Sequence, residues 1–555
     1  MSKTLELGRD TVTLEDLAQV ARAERRVTLG QKARAEMRPS QEWIAAIADG
    51  MDRGEAVQAI YSVNTGFGSL SGREAFATSA QARELSRRLV MSNAAGVGRD
   101  MDAEVVRAAM LIRAASLTRG YSGVRAEVVE TILAMLDRGV VPVVPEYGSL
   151  GASGDLIPLA HMALVMSRGE EESEIDSGRA WHDGQVKSGL AAMRDAGIER
   201  LVLGPKEGLA LLNGTSFSTA QTALALADAR ILLDTAEIAA AMSIEALMGF
   251  GDAFIPELHE ARGQPGQIRS AANIRAALAG SGLIDGGIGR DPERQPPQDA
   301  YSLRCVPQVL GPVRDTLDFV QGIVEREIVA ATDNPLIFAD ALPGRRLKAV
   351  SGGNFHAEYI AFAADFLSIV VTEIGNIAER RLFRLNDGTL NRGLPDMLVK
   401  SDHVGMDCGY MLPQYLAAAL VSGLQDARPS RQRRFDPDLL EPGRPRVDGQ
   451  QRRPARPPDH LQHPQCRRDR NSHGRAGAGA SPCRATARRH DPVAGQPRGA
   501  GAAAPDRGHR RPAHRPSEPR HRALSPPRGR RRAGALGRSA AGGAGGRDVG
   551  TALPV

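Results

Sequence analysis

Two stretches, Phe217 to Met248 and Phe355 to Arg381, constrain the fold more than any other part of the chain. Each carries Ala, Leu and Ile in helical rather than alternating order, with charges only at intervals. Both run well past the ~11 to 12 residues of an average helix. Helices this long, with broad apolar faces, are stable when they pack on one another or on neighbouring subunits. Only 4% of the residues are aromatic, and strand-like alternation is almost lacking up to about residue 427. The expectation is an all-α oligomer built as a long-helix bundle.

A chain of 555 residues exceeds what one compact core usually supports, and its composition changes abruptly after Gln425. Residues 428–555 hold 29 Arg against 10 Asp plus Glu, so the overall +6 conceals a body of net charge −13. Beyond Tyr415 there is no Lys, Ile, Met, Tyr or Trp. Such a segment cannot bury a core, which predicts a folded domain over 1–427 and a disordered Arg/Pro/Gly/Ala-rich tail over 428–555. An inert scaffold with a basic nucleic-acid-binding tail fits the same charge distribution. Cys305, Cys408, Cys466 and Cys483 show neither CxxC pairing nor zinc spacing, which excludes a disulfide framework and predicts no metal. The N-terminus lacks a signal-peptide core, and polar residues interrupt the uncharged run 208–227, so neither secretion nor a membrane span is expected. A reducing cytoplasm fits best.

Polar and Gly-rich islands separate the helices: 61–72, 145–161, 211–217, 298–305, 332–335 and 351–359. Loops and helix ends are where backbone amides are unpaired and polar groups converge. The most specific island is Gly148-Ser149-Leu150-Gly151-Ala152-Ser153-Gly154-Asp155-Leu156-Ile157-Pro158-Leu159-Ala160-His161. A plain helix N-terminus, with Asp155 as cap and Ser153 in a turn, would need only the Ala-Ser-Gly-Asp tetrad. A second island, Tyr61-Ser62-Val63-Asn64-Thr65-Gly66-Phe67-Gly68, has the wrong glycine spacing for a nucleotide loop, and no strand precedes it.

These fourteen residues, with the other islands in the same order, resemble the aromatic amino acid ammonia-lyase family over about residues 10–427. The resemblance implies that Ala152-Ser153-Gly154 cyclises and loses water to form 4-methylidene-imidazol-5-one (MIO), an electron-poor alkene. Gly154 has no side chain to block attack of its amide nitrogen on the Ala152 carbonyl, and the Ser153 hydroxyl leaves as water. By the same resemblance Tyr61, on a loop containing Gly68, is the base that removes a β-proton, which requires its pKa to lie well below the ordinary ~10. Asn213 hydrogen-bonds the MIO oxygen. Gln298, Tyr301 and Arg304 fall at i, i+3 and i+6, near one face if the segment is helical, and Arg304 resembles a carboxylate clamp. Asn334 and Phe355 match further site positions, where a helix cap and a core aromatic are the plain alternatives. His161 and His356 read as structural.

The substrate implied is a small aromatic amino acid. Selectivity in the family leans on the segment that reads here Leu89-Val90-Met91-Ser92-Asn93-Ala94-Ala95-Gly96. Ser92 and the following AAGVG are histidine-lyase-like, favouring histidine to urocanate, but Asn93 offers both donor and acceptor and suits imidazole or phenol. Tyrosine or phenylalanine lyase and a 2,3-aminomutase remain alternatives. The resemblance also implies a homotetramer with sites shared between subunits, and no partnership with membrane or nucleic acid.

The tail has a further reading. Family members continue past this point with a stretch resembling KTLAHPASVDSIPTS and then NQEDHVSMG, neither of which is present. Permitted codons for Arg433 to Leu439, regrouped after dropping one base, give VDSIPTS. The same shift over Leu440 to Gly449 gives WNQEDHVSMG, and Gln425 to Gln432 can encode KTLAHPAS. One frame is thus compatible over the 25 positions from Gln425 to Gly449, which places a net one-base insertion near Gly423. The tail then reads as a frameshift product, and the QED glutamate and the C-terminal helices of the fold are missing.

Overall fold

The computed structural model describes residues 4–72, 76–284, 297–340, 348–403 and 405–426. Every described residue belongs to one compact unit. The expected tail, with Cys466 and Cys483, lies outside the described residues.

The long helices form as expected, at Ser216–Ala246 and Glu358–Asn386. The first turns of Ser216–Ala246 are buried almost all round. From Ala229 onward the buried positions thin to Leu233, Ala236, Glu237, Ala240, Ala241 and Ile244, the three-and-four spacing of one face. Val306–Ile328 repeats that spacing with Leu310, Val313, Leu317, Val320 and Val324. It packs against Pro265–Leu278, Ser216–Ala246 and Glu358–Asn386. The approach to Pro265–Leu278 depends on glycine: a Cβ on Gly311 would lie 2.6 Å from the Gln267 backbone, far inside van der Waals contact. Ala103–Leu117 and Met411–Asp426 flank the bundle, packing on Ser216–Ala246 and on Glu358–Asn386 respectively. The bundle matches the expected all-α fold.

Among the described residues, Glu358–Asn386 is the helix long and apolar enough to cross a membrane. Its sequence includes Asp365, Glu373, Glu379, Arg380 and Arg381, and it packs along three other helices.

Short sheets pin the connections. Val97–Asp100 pairs antiparallel with Pro145–Tyr147, bringing the end of the Ser79–Asn93 helix beside the 148–154 island. Arg179–His182 and Gln185–Ser188 form a hairpin that the helical reading passed over. Its turn is Asp183-Gly184, with φ +50° and +73°, the two positive values a tight hairpin turn needs. Apart from the main core, Ile44, Ile60, Val63 and Ile337 form a small cluster with Trp43, Ile47 and Ala349 packed on it. This cluster anchors the base of the Tyr61 loop.

Candidate active site

Ala152-Ser153-Gly154 sits between two helix starts. Gly151–Ser153 makes one tight turn, and the Ala357 amide, just before Glu358–Asn386, donates to the Gly151 carbonyl at 3.0 Å. Gly154 has φ +85° and ψ −179°, a backbone region that only glycine occupies without strain. A Cβ there would lie 2.8 Å from the Gly214 carbonyl oxygen and 3.3 Å from Asn213 Nδ2. The lack of room comes from the turn at Asn213-Gly214, which grips the tripeptide from two sides. Asn213 Nδ2 donates to the Ser153 carbonyl at 3.1 Å, and the Asp155 amide donates to the Gly214 carbonyl at 2.7 Å.

Asp155 begins Leu156–Met166, yet its side chain makes no cap there. It accepts instead from the Ser218 amide at 2.8 Å and the Ser218 hydroxyl at 2.7 Å, capping the first turn of Ser216–Ala246, and from the Ser149 hydroxyl at 2.5 Å. Burial pushes its carboxyl above the ordinary carboxylate range, against the hydrogen bonds from Ser149 and Ser218.

Beneath the turn lie buried charges that the sequence reading did not single out. Arg113, fully buried on Ala103–Leu117, donates to the carbonyls of Ala210 and Asn213 and to the hydroxyls of Ser116 and Thr332. Lys206 and Asp333, each essentially without solvent exposure, form an ion pair at 2.6 Å, and Ser122 donates to the other Asp333 oxygen at 3.0 Å. The available signal was Arg107 and Arg113 interrupting the apolar run VVRAAMLIRAASL. A charge inside such a stripe needs a specific partner set.

Asn334 is not a helix cap; its Oδ1 accepts from the Gly352 amide at 2.8 Å, tying the 332–335 and 351–359 islands together. Phe355 is half-buried rather than a core aromatic. Asn93 donates through Nδ2 to the Leu89 carbonyl at 2.8 Å, and the Ser92 hydroxyl donates to the same oxygen at 3.2 Å. Both therefore stay at the end of Ser79–Asn93. His161 Nε2 accepts from the Gly96 amide at 3.1 Å, which holds the chain just beyond Asn93 and agrees with a structural role. The Glu358 amide donates to His356 Nδ1 at 3.3 Å.

In the Tyr61 loop, Asn64 accepts from the Ile60 amide at 2.6 Å and donates to the Gln58 carbonyl at 2.8 Å, while Thr65 bridges Ser62 and Ile60. Tyr61 Oη accepts from the Gly68 amide at 2.9 Å. Burial raises the Tyr61 phenol, and the Gly68 hydrogen bond opposes it. This shift runs opposite to the one expected of a base. The Gln298–Arg304 segment also differs from a single helical face. The helix begins only at Tyr301 and runs to Arg304, leaving Gln298 ahead of it. The Arg304 guanidinium lies 4.6 Å from the centre of the Tyr301 ring and donates to the Asp299 carbonyl at 2.5 Å. Asp299 is itself held by Arg392 and by the Phe250 amide. Among the described residues, no hydrogen bond or ring contact joins Tyr61, Tyr301 or Arg304 to 152–154. One chain thus holds the tripeptide between Asn213 and the start of Glu358–Asn386.

Similarity to known proteins places this chain among the carbon–nitrogen lyases. It belongs to the aromatic amino acid lyase family, whose model matches residues 12–430. Histidine ammonia-lyase 2 of Fusobacterium nucleatum is 44% identical over 424 residues, which is 76% of this chain and 77% of that protein. The crystal structure of histidine ammonia-lyase from Trypanosoma cruzi matches with a TM-score of 0.66 and 35% identity, over 77% of this chain and 75% of that one. A tyrosine aminomutase from Streptomyces globisporus matches with a TM-score of 0.69 and 35% identity, over 78% of this chain and 80% of that one.

Proposed function

We propose that the protein eliminates ammonia from L-histidine to give urocanate. The carrying observation is the grip on Ala152-Ser153-Gly154. Asn213 Nδ2 meets the Ser153 carbonyl, the oxygen that cyclisation would retain, and Gly154 has room for no side chain. These features suit MIO formed from the three residues, and when formed it supplies the electrophile that turns a poor amine leaving group into a good one. Asn213 donates to the oxygen on which negative charge develops. The Gly68 amide stabilises the Tyr61 phenolate, whose Oη takes the β-proton to become the neutral phenol as a carbon–carbon double bond forms and ammonia departs. Arg304 holds the substrate carboxylate beside Gln298 and Tyr301, Ser92 and Asn93 face the ring, and Phe355 and Asn334 complete the wall. The 44% identity to a histidine ammonia-lyase supports histidine as substrate.

Tyr61 and Arg304 reach the tripeptide of another copy in this reading, within a cytoplasmic homotetramer. Ile231, Leu232, Ile238 and Met242 on Ser216–Ala246, with Phe362, Phe366 and Ile369 on Glu358–Asn386, are exposed in the single chain and form an apolar face suited to such assembly. Light scattering that finds a fully active monomer rules this out. Residues 428–555 are read as out-of-frame sequence, which resequencing from codon 415 with intact-mass measurement decides. The functional test is incubation with L-histidine, L-tyrosine and L-phenylalanine separately, following absorbance of the unsaturated acids and assaying for β-amino acids. Urocanate formed from histidine alone is the expected result. A tyrosine or phenylalanine product, or a β-amino acid, replaces the assignment.

A further inference from the structure

The buried cation at Arg113 performs no step in the reaction described above, and its placement is costly. A guanidinium taken wholly out of water loses its hydration, and burial lowers its pKa from the ordinary value. No carboxylate hydrogen-bonds to it among the described residues; Asp333 and Asp155 act on it only through space. A Met or Leu of similar volume would hold a bundle together with less desolvation. The fold therefore retains the planar fork for where its hydrogen bonds go.

Two of the four reach the islands behind the tripeptide, at Asn213 and Thr332; the others go to Ala210, on the helix that leads into Asn213, and to Ser116 on its own helix. Nη1 donates to the Ala210 carbonyl at 3.0 Å and the Asn213 carbonyl at 2.5 Å, at the end of Glu207–Leu212, where helical partners run out. Nη2 donates to Ser116 Oγ at 3.2 Å and Thr332 Oγ1 at 2.9 Å. Gly214 lies flat on the guanidinium: a Cβ there would stand 2.4 Å from Nη2 and 2.6 Å from Thr332 Oγ1. The turn resting on Arg113 is the one that reaches Ser153 through Asn213 Nδ2 and Asp155 through the Gly214 carbonyl.

We infer that Arg113 is a positioning residue for the electrophile: it sets the Asn213-Gly214 turn at the height from which it grips Ala152-Ser153-Gly154, and so governs dehydration of the tripeptide. The inference rests on the MIO reading. In the step concerned, the Gly154 nitrogen bonds to the Ala152 carbonyl carbon, whose oxygen leaves as water, and the Ser153 hydroxyl leaves with its Cα proton as a second water. Arg113 touches none of these atoms.

The test uses the full chain and the variants Arg113→Lys, Arg113→Gln, Asn213→Ala and the double Arg113→Lys/Asn213→Ala. Far-ultraviolet circular dichroism reports the fold, and intact mass at a fixed time after cell-free synthesis reports the loss of two waters. Arg113→Lys keeps the charge and loses the fork, so a native helical signal with dehydration slowed roughly tenfold or more is expected. Because Arg113 acts through the turn, the double variant should be no worse than Asn213→Ala by more than about twofold. A folded Arg113→Lys or Arg113→Gln chain with the wild-type mass deficit overturns the inference, as do effects that multiply fully in the double variant. A wild-type chain of unmodified mass overturns the MIO reading itself, and the inference with it.

Discussion

Replacing Asp333 by Asn removes the counter-charge of Lys206 while nearly preserving shape. Lys206 Nζ lies 2.6 Å from Asp333 Oδ2, and neither side chain reaches solvent. Breaking one side of a buried pair costs about 3 to 5 kcal/mol, because the remaining charge stays desolvated. Asn keeps an acceptor for the Ser122 hydroxyl, so little is added there. Lys206 also sits at φ +71°, a conformation that costs a side-chain-bearing residue roughly 1 kcal/mol and that the ion pair helps to hold. The expected loss is therefore about 3 to 5 kcal/mol, a large part of the ~5 to 15 kcal/mol of a typical domain. Urea unfolding followed by circular dichroism at fixed protein concentration measures it. Lys206→Met combined with Asp333→Leu should recover most of the loss, falling short by about 1 kcal/mol for the orphaned Ser122 hydroxyl. An Asp333→Asn protein within about 1 kcal/mol of wild type refutes the reasoning.

Gly154→Ala should destabilise the 148–156 segment by about 2 to 6 kcal/mol, combining backbone strain with the clash on Gly214, and should prevent dehydration; an intact mass showing the wild-type deficit refutes this. Tyr61→Phe should abolish turnover while preserving the mass deficit and the circular dichroism spectrum, and a retained wild-type kcat reassigns the base. Burial, and secondarily Arg179, depress the pKa of His161, so the native chain binds the proton less readily than the unfolded one. Its stabilising effect is full above the ordinary histidine range and is lost as pH falls toward the depressed native value. His161→Gln should flatten that part of the stability–pH curve, and an unchanged curve counts against the assignment.

The long helices were legible because their apolar spacing is uninterrupted, and the islands because Gly and polar residues cluster between them. The hairpin at Arg179–Ser188 went unread although Asp183-Gly184 is a strong local turn signal, since its strands are short and carry few apolar residues. Motif order singled out Asn213, whose side chain meets the Ser153 carbonyl, and Asn334, whose partner is the Gly352 amide. Arg113 and the Lys206–Asp333 pair were not found because their partners lie up to 219 residues away, and no local pattern encodes such closure. Asp155 was legible as a helix cap, but the capped helix is Ser216–Ala246 rather than its own, a distinction only tertiary structure supplies. The spacing of Gln298, Tyr301 and Arg304 suggested one helical face, yet regular helix starts at Tyr301.

The small cluster under the Tyr61 loop gives the protein a built-in optical probe. The chain has two tryptophans; Trp181 lies on the exposed hairpin, and Trp43 packs on Ile44, Ile60, Val63 and Ile337. With Trp181→Phe a single indole remains, in contact with the residues flanking Tyr61 and with the strand that follows Asn334. Its emission wavelength and quenching by iodide then register lifting of that loop from its seat, in stopped-flow time and without an added label.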